Sequence, residues 1–255
     1  MKKFIPGLAA FASLIAAPAA NAHDFFLMPD SFRTTAGPVR IHATVGSNFP
    51  KAENIVAADR MDRLVALGGG SPQVRVVGAT ATALDLEVTG AKPGMLLTTV
   101  RTKPRDVDYA EDRIPLILGE YRVRAEAAAA VEKLQRPRNW QVSSRRYAKT
   151  LVCVRTCANQ GVSARPTDAS LEFIGRNAAF DLFRLLADGK ALANYPVDLV
   201  GDDGKRQHLM TDARGDVRLP ASARGTKMLF AAKLEPPAKA ERFTLDLTSL
   251  TFNRP

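Results

Sequence analysis

The sequence predicts a mainly β protein built as two β-sandwich domains with one connecting helix. Three observations predict it. Short segments with period-two alternation fill the chain between about residues 32 and 101. One alanine-rich stretch follows at 125–130. From Asp168 onward, short strand-like runs return at eight-to-twelve-residue spacing between Gly- and Asp-bearing turns. Alternation at period two marks strands with one buried face, and dense turns between them are the punctuation of a sandwich. The expected organisation is a leader at 1–22, a sandwich at 23–118, a helix and connecting segment at 119–167, and a second sandwich at 168–255.

The chain starts with Met1-Lys2-Lys3, a short positive segment, followed by an apolar run from Phe4 to Ala20 that Pro6, Gly7 and Pro18 interrupt. It ends in Ala20-Asn21-Ala22, the small-x-small pattern that signal peptidase accepts. A membrane anchor would need about 20 apolar residues without such breakers. We therefore expect a cleaved signal peptide, a mature chain that starts at His23 in the periplasm, and no membrane span after processing. Removing 22 residues from 255 leaves 233, room for two domains of about 100 residues each.

In the first domain, Val39 to Gly46 alternates apolar and polar residues, so Val39, Ile41, Ala43 and Val45 share a buried face and His42 lies on the other with Arg40 and Thr44. Val74–Val77, Ala83–Val88 and Met95–Arg101 are further strands, set apart by Gly68-Gly69-Gly70 and Lys92-Pro93-Gly94. Glu120 to Leu134 reads as the one helix because alanine has the highest helix propensity, and Pro137 stops it. Arg145 to Val152 leads back into a strand, and Asp168–Arg176 opens the second domain. There Phe180–Leu186, Tyr195–Val200, Arg206–Thr211, Met228–Lys233 and Thr244–Phe252 are the strands.

Formal charge is +10, of which Lys2 and Lys3 belong to the leader, leaving about +8 on the mature side chains. The arginines are scattered, Arg145-Arg146 is the sole Arg-Arg pair, and aromatics are sparse. A nucleic-acid platform is therefore not indicated, and attraction to an anionic membrane surface is the simpler use of the charge. Enzyme motifs are missing: no Gly-x-Ser-x-Gly, no His-Glu-x-x-His and no phosphate-binding Gly loop. Asp106, Asp108, Glu111 and Asp112 beside Tyr109 read as a solvated turn, and the chain does not read as an enzyme.

The candidate chemistry lies in three histidines and two cysteines. Cleavage after Ala22 makes His23 the amino-terminal residue. Its α-amine and ring Nδ1 can then chelate one metal, with His42 or His208 as a third nitrogen. Imidazole and amine donors favour Cu²⁺, then Ni²⁺. The α-amine pKa of about 7.7–8.0 lets a metal displace its proton near neutral pH. In the precursor the same nitrogen is an amide, so the site exists only after export. Asp24 is a possible oxygen ligand or a partner to an imidazole N–H. Cys153 and Cys157 should form a disulfide in an oxidising compartment. Four residues of extended strand would hold them about 13 Å apart, so a turn is needed, which Thr156 to Gly161 could supply. Metal ligation by this Cys-x3-Cys pair is the alternative, although no second pair completes a tetrahedral site.

The segment His23-Asp24-Phe25-Phe26-Leu27-Met28-Pro29 resembles the His-Asp/Glu-Phe-Trp-Leu-x-Pro opening of a periplasmic family of unknown function. Its members are commonly described as the periplasmic component of nickel/cobalt-type uptake systems. Gly37-Pro38 and Val45-Gly46-Ser47-Asn48-Phe49, Arg146 to Val152, Leu171-Glu172-Phe173, Leu186 to Val197, Thr211 to Asp216 and Leu250-Thr251-Phe252 continue the resemblance in order. It implies a second half similar to transthyretin-like sandwiches, and divalent metal handling with His23 at the opening histidine. Phe26 stands where the family often has Trp, and the two cysteines are outside its pattern. The expectation is a periplasmic protein that binds Ni, Co or Cu and hands it to an inner- or outer-membrane metal transporter. The rival is a non-catalytic structural or protein-interaction module of two immunoglobulin-like sandwiches without metal.

Overall fold

The computed structural model describes residues 23–35, 37–158, 160–238 and 242–254. The expected leader at 1–22 lies outside the described residues. In chain order the strands are β1 Asp24–Pro29, β2 Arg33–Thr34, β3 Val39–Gly46, β4 Asn54–Ile55, β5 Met61–Leu67, β6 Gly70–Ala79, β7 Ala83–Ala91, β8 Gly94–Thr102 and β9 Arg105–Ala110. After helices α1 Ile114–Glu120 and α2 Ala125–Glu132 come β10 Asn139–Val154, β11 Leu171–Gly175, β12 Leu182–Ala187, β13 Lys190–Ala191 and β14 Pro196–Gly201. The last four are β15 Arg206–Met210, β16 Asp216–Arg218, β17 Gly225–Glu235 and β18 Phe243–Arg254.

The fold is mainly β, with sheets stacked face to face. A first sheet runs β1-β3-β7-β6, with β4 on β3. A small sheet runs β11-β12-β13, with β16 on β12. Between them lies a nine-stranded sheet, β15-β14-β17-β18-β10-β8-β5, which β2 and β9 join through β10. The two halves of the chain thus share their central sheet instead of each keeping two of their own. The joint is β10 against β18, a parallel pair from Val142↔Phe243 to Thr150↔Thr251.

Strand pleat explains how one sheet serves two cores. Leu96, Val100, Ala148 and Val152 point to the first sheet, where they pack with Phe25, Leu27, Ile41 and Leu86. Their chain neighbours Met95, Leu97, Leu151 and Cys153 point the opposite way, to Leu171, Phe173, Phe183 and Leu185 of the small sheet. The face that the first sheet leaves uncovered is closed by the helices: Ile117, Ala127 and Val131 pack on Trp140, Phe230 and Leu245. Among the described residues no helix is long and apolar enough to cross a membrane.

The alternation in β3 holds as read: Val39, Ile41, Ala43 and Val45 enter the core. The helix differs. In place of one helix at Glu120–Leu134 there are two, because Arg122 takes a left-handed backbone (φ 48) between them. Its guanidinium then reaches Asp198 Oδ1 at 2.8 Å and the Val197 carbonyl at 3.2 Å. The Cys153–Cys157 disulfide is formed, with Cα atoms 4.7 Å apart. The reversal that permits it starts earlier than expected, at Arg155 (φ 58), where the Thr156 N–H bonds back to the Val154 carbonyl.

Candidate functional site

The first described residue, His23, is exposed, and the strand after it is not. Along β1, Phe25 and Leu27 enter the core over the central sheet. Their carbonyls accept hydrogen bonds from Ser249 Oγ (2.7 Å) and Thr251 Oγ1 (2.6 Å). On the other side Phe26 meets Phe49 edge-on, ring centroids 5.3 Å apart, and the Asp24 carboxylate accepts from Arg206. Both faces of the strand are buried up to its first residue, so His23 is held at a defined point.

That point is the wall of a cleft of about 520 Å³. Three segments build most of the rest, with Val45, Thr102 and Tyr121 completing it. Strand β9 presents Arg105, Val107 and Tyr109. Their alternates Asp106 and Asp108 belong to the opposite face, where both pair with Arg242. Strand β10 contributes Ser144 and Arg146, and the Arg146 N–H is fixed on Thr102 Oγ1 at 3.1 Å. The stretch Asn54–Ala57, which begins in β4 on the first sheet, and Arg60 complete this part of the lining. Arg60 is tied to the residues just before β9: it donates to the carbonyls of Lys103 (3.0 Å) and Pro104 (3.4 Å), and its own carbonyl accepts from Lys103 N–H.

The lining therefore carries three arginines, His23 and two tyrosines, and no carboxylate. Burial pushes the Tyr121 phenol up to about 12 and that of Tyr109 above its ordinary value, so both remain neutral O–H donors at neutral pH. Burial also raises the Glu120 carboxyl, against the opposing charges of Arg113, His23 and Arg206. The field in the cleft favours anions.

The other predicted ligands lie elsewhere. His42 stands between two carboxylates, with Nδ1 2.7 Å from Asp85 and Nε2 2.7 Å from Asp30. It pairs across the sheet with Met28, five residues along β1 from His23. At the rise of a strand that is about 16 Å, too far for the two imidazoles to share an ion. His208 Nδ1 is 2.8 Å from Asp198 Oδ1. Asp198 Oδ2 accepts from Arg206 (3.1 Å), which also bonds Asp24. Asp24 and His208 are thus joined through Arg206 and Asp198, not face to face. Asp24 Oδ1 is buried without a hydrogen-bond partner. Burial pushes this carboxyl up to about 7, outweighing the pull of Arg206.

Among the described residues, no three His, Cys, Asp or Glu side chains converge to hold a metal ion. Cys153 and Cys157 bond each other, which removes both thiolates as ligands. The third-nitrogen expectation is corrected for His42, about 16 Å along the strand from His23; His208 bonds Asp198 and is not among the residues that line the cleft. The acidic run is corrected in part: Asp106 and Asp108 sit in strand β9, while Glu111 and Asp112 lie in the turn after it, where Glu111 accepts from Arg138.

Sequence reasoning missed Arg60, Arg105, Arg146, Tyr109 and Tyr121. The one local signal was the alternation Arg105-Asp106-Val107-Asp108-Tyr109, which separates a basic, aromatic face from an acidic one. The family described as Domain of unknown function (DUF4198) matches residues 20–234. No curated protein and no solved structure matches the chain.

Proposed function

The chain belongs to the DUF4198 family, whose function is unknown, and from that premise we propose an exported, non-enzymatic binding protein of the cell envelope. In this reading it takes a divalent transition metal (nickel, cobalt or copper) at His23 and passes it to a membrane transporter. One observation carries the reading. His23 directly follows the Ala20-Asn21-Ala22 cleavage pattern and stands exposed in the wall of the cleft of about 520 Å³, just before a strand buried on both faces from Asp24 onward.

Processing at Ala22 turns the His23 amide nitrogen into an amine. Amine and Nδ1 of one residue then close a six-membered chelate ring, with no second histidine required. With His42 and His208 engaged elsewhere, the remaining coordination positions fall to oxygen donors that enter with the metal. The ring of arginines disfavours a bare dication, so a metal already neutralised by its own ligands suits the cleft better. Asp24 turns to Arg206 and acts on the terminus only by anchoring the strand.

The test is isothermal titration of Ni²⁺ and Cu²⁺ into protein that begins at His23, against a version with one additional residue before it. Loss of binding in the extended version supports the terminal chelate. Equal affinities would shift the site away from the terminus and leave the metal-free interaction module as the better reading.

A further inference from the structure

We infer that the cleft contains an anion subsite, formed by Arg60, Arg105 and Arg146, for the carboxylates of a small polycarboxylic acid. The subsite goes beyond the metal reading, because it can be filled without metal.

Three arginines from separate parts of the chain line the one cleft. Arg105 is the cross-strand partner of Ser144, and Arg146 lies two residues further along the same face of β10. That places Arg105 and Arg146 at a diagonal spacing of about 7–8 Å. Arg60 joins them from the segment before β5, its guanidinium held by the carbonyls of Lys103 and Pro104 next to Arg105. Asp106 and Asp108 are taken by Arg242 and Asp62 by Arg101, while Asp59, next to Arg60, is exposed and outside the lining. Three cations with no anion in the lining are left.

Size and wall chemistry select the ligand class. A volume of about 520 Å³ fits a small organic molecule. Val45, Ile55, Val56 and Val107 interrupt the charged groups with apolar wall. A single phosphate would gather its donors around one point. Arginines borne at separate positions on β9, on β10 and before β5 instead match several carboxylates on a short carbon skeleton, each taken by the planar fork of a guanidinium. The neutral phenols of Tyr109 and Tyr121 can donate to further oxygens. Such an acid could also bring its own bound metal to His23 as a complex of reduced or negative charge.

Citrate, inorganic phosphate and NiCl₂ titrated separately into the processed protein test the subsite. Citrate should bind, weaken as NaCl rises from about 50 to about 500 mM, and exceed phosphate at least about tenfold. Each of Arg105→Gln and Arg146→Gln should weaken citrate about tenfold or more, with melting curves confirming that the variants fold. Arg105→Lys should recover part of the loss. No citrate binding, phosphate bound as well as citrate, or folded variants with unchanged affinity would each overturn the subsite. The version with one additional residue before His23 should keep citrate binding, so failure of the metal chelate and failure of the subsite are told apart.

Discussion

Replacing Lys149 with Met should be one of the most damaging single changes outside the apolar core. Lys149 and Glu172 are each 1 % exposed and bonded to one another between β10 and β11. The ammonium also donates to the Phe173 carbonyl at 3.1 Å. Burial pulls the Lys149 amine below its ordinary value, so its charge depends on Glu172. The Lys149→Met variant leaves that carboxylate buried with Thr167 alone, whose N–H (2.9 Å) and Oγ1 (2.9 Å) still donate to it. Removing one partner of such a pair costs about 3–5 kcal/mol. For a chain of this size that is a fall in Tm of about 6–20 °C. Lys149→Met combined with Glu172→Leu should be less destabilised than the sum of the two single changes, by about 2 kcal/mol or more. Urea melts of the four proteins complete the cycle. A single-variant loss below about 1 kcal/mol, or strict additivity, would refute the reasoning.

Burial lowers the affinity of His42 for a proton, but its bonds to Asp30 and Asp85 raise it more, so the net shift is upward from 6.5. A raised folded value means the histidine's contribution is complete below pH 6.5 and fades as pH rises through the folded value. Thermal melts of wild type and His42→Asn across pH 5.5–8.5 should converge at the alkaline end. Cys153→Ala/Cys157→Ala should cost about 2 kcal/mol, the chain-entropy value for so short a loop, without altering the cleft, as measured by urea melts and citrate titration. A Cβ on Gly46 would stand 2.5 Å from the Lys51 carbonyl oxygen. Gly46→Ala should therefore cost about 1–3 kcal/mol and loosen residues 47–57. Hydrogen exchange would show faster amides at Ser47, held by Glu53, and at Lys51.

Two stretches quoted for the family resemblance meet in space. Arg146-Tyr147-Ala148-Lys149 and Leu171-Glu172-Phe173 are joined by the Lys149–Glu172 pair, and Tyr147 Oη lies 2.9 Å from Ser170 Oγ. The same strand turns Arg146 to the cleft and Lys149 to the small sheet. One short motif thus serves the cleft wall and the clamp between sheets. Neither role can be read from the motif, since each is defined by what faces it.

What the sequence determined by itself is local. Period-two alternation assigned the buried face of β3, because a pleated strand turns every second side chain the same way. Glycine and aspartate turns marked the strand ends in the second half, and proximity paired the two cysteines. Tertiary structure decided the rest. Alternation says that Leu96 and Leu97 point to opposite sides, but not that both sides are cores. That follows only when β10 and β18, about a hundred residues apart, pair in parallel and make one sheet common to both halves. Strand β1 escaped notice because both of its faces are buried, which erases the alternation. The Ala-rich helix was broken at Arg122, where the ion pair with Asp198 overrides helix propensity. The site divides the same way. The role proposed for His23 could be read from the sequence because it depends only on cleavage after Ala22. The arginine wall could not, because Arg60, Arg105 and Arg146 lie 45 and 41 residues apart along the chain. A charge becomes a subsite only when the fold takes its neighbours' carboxylates elsewhere.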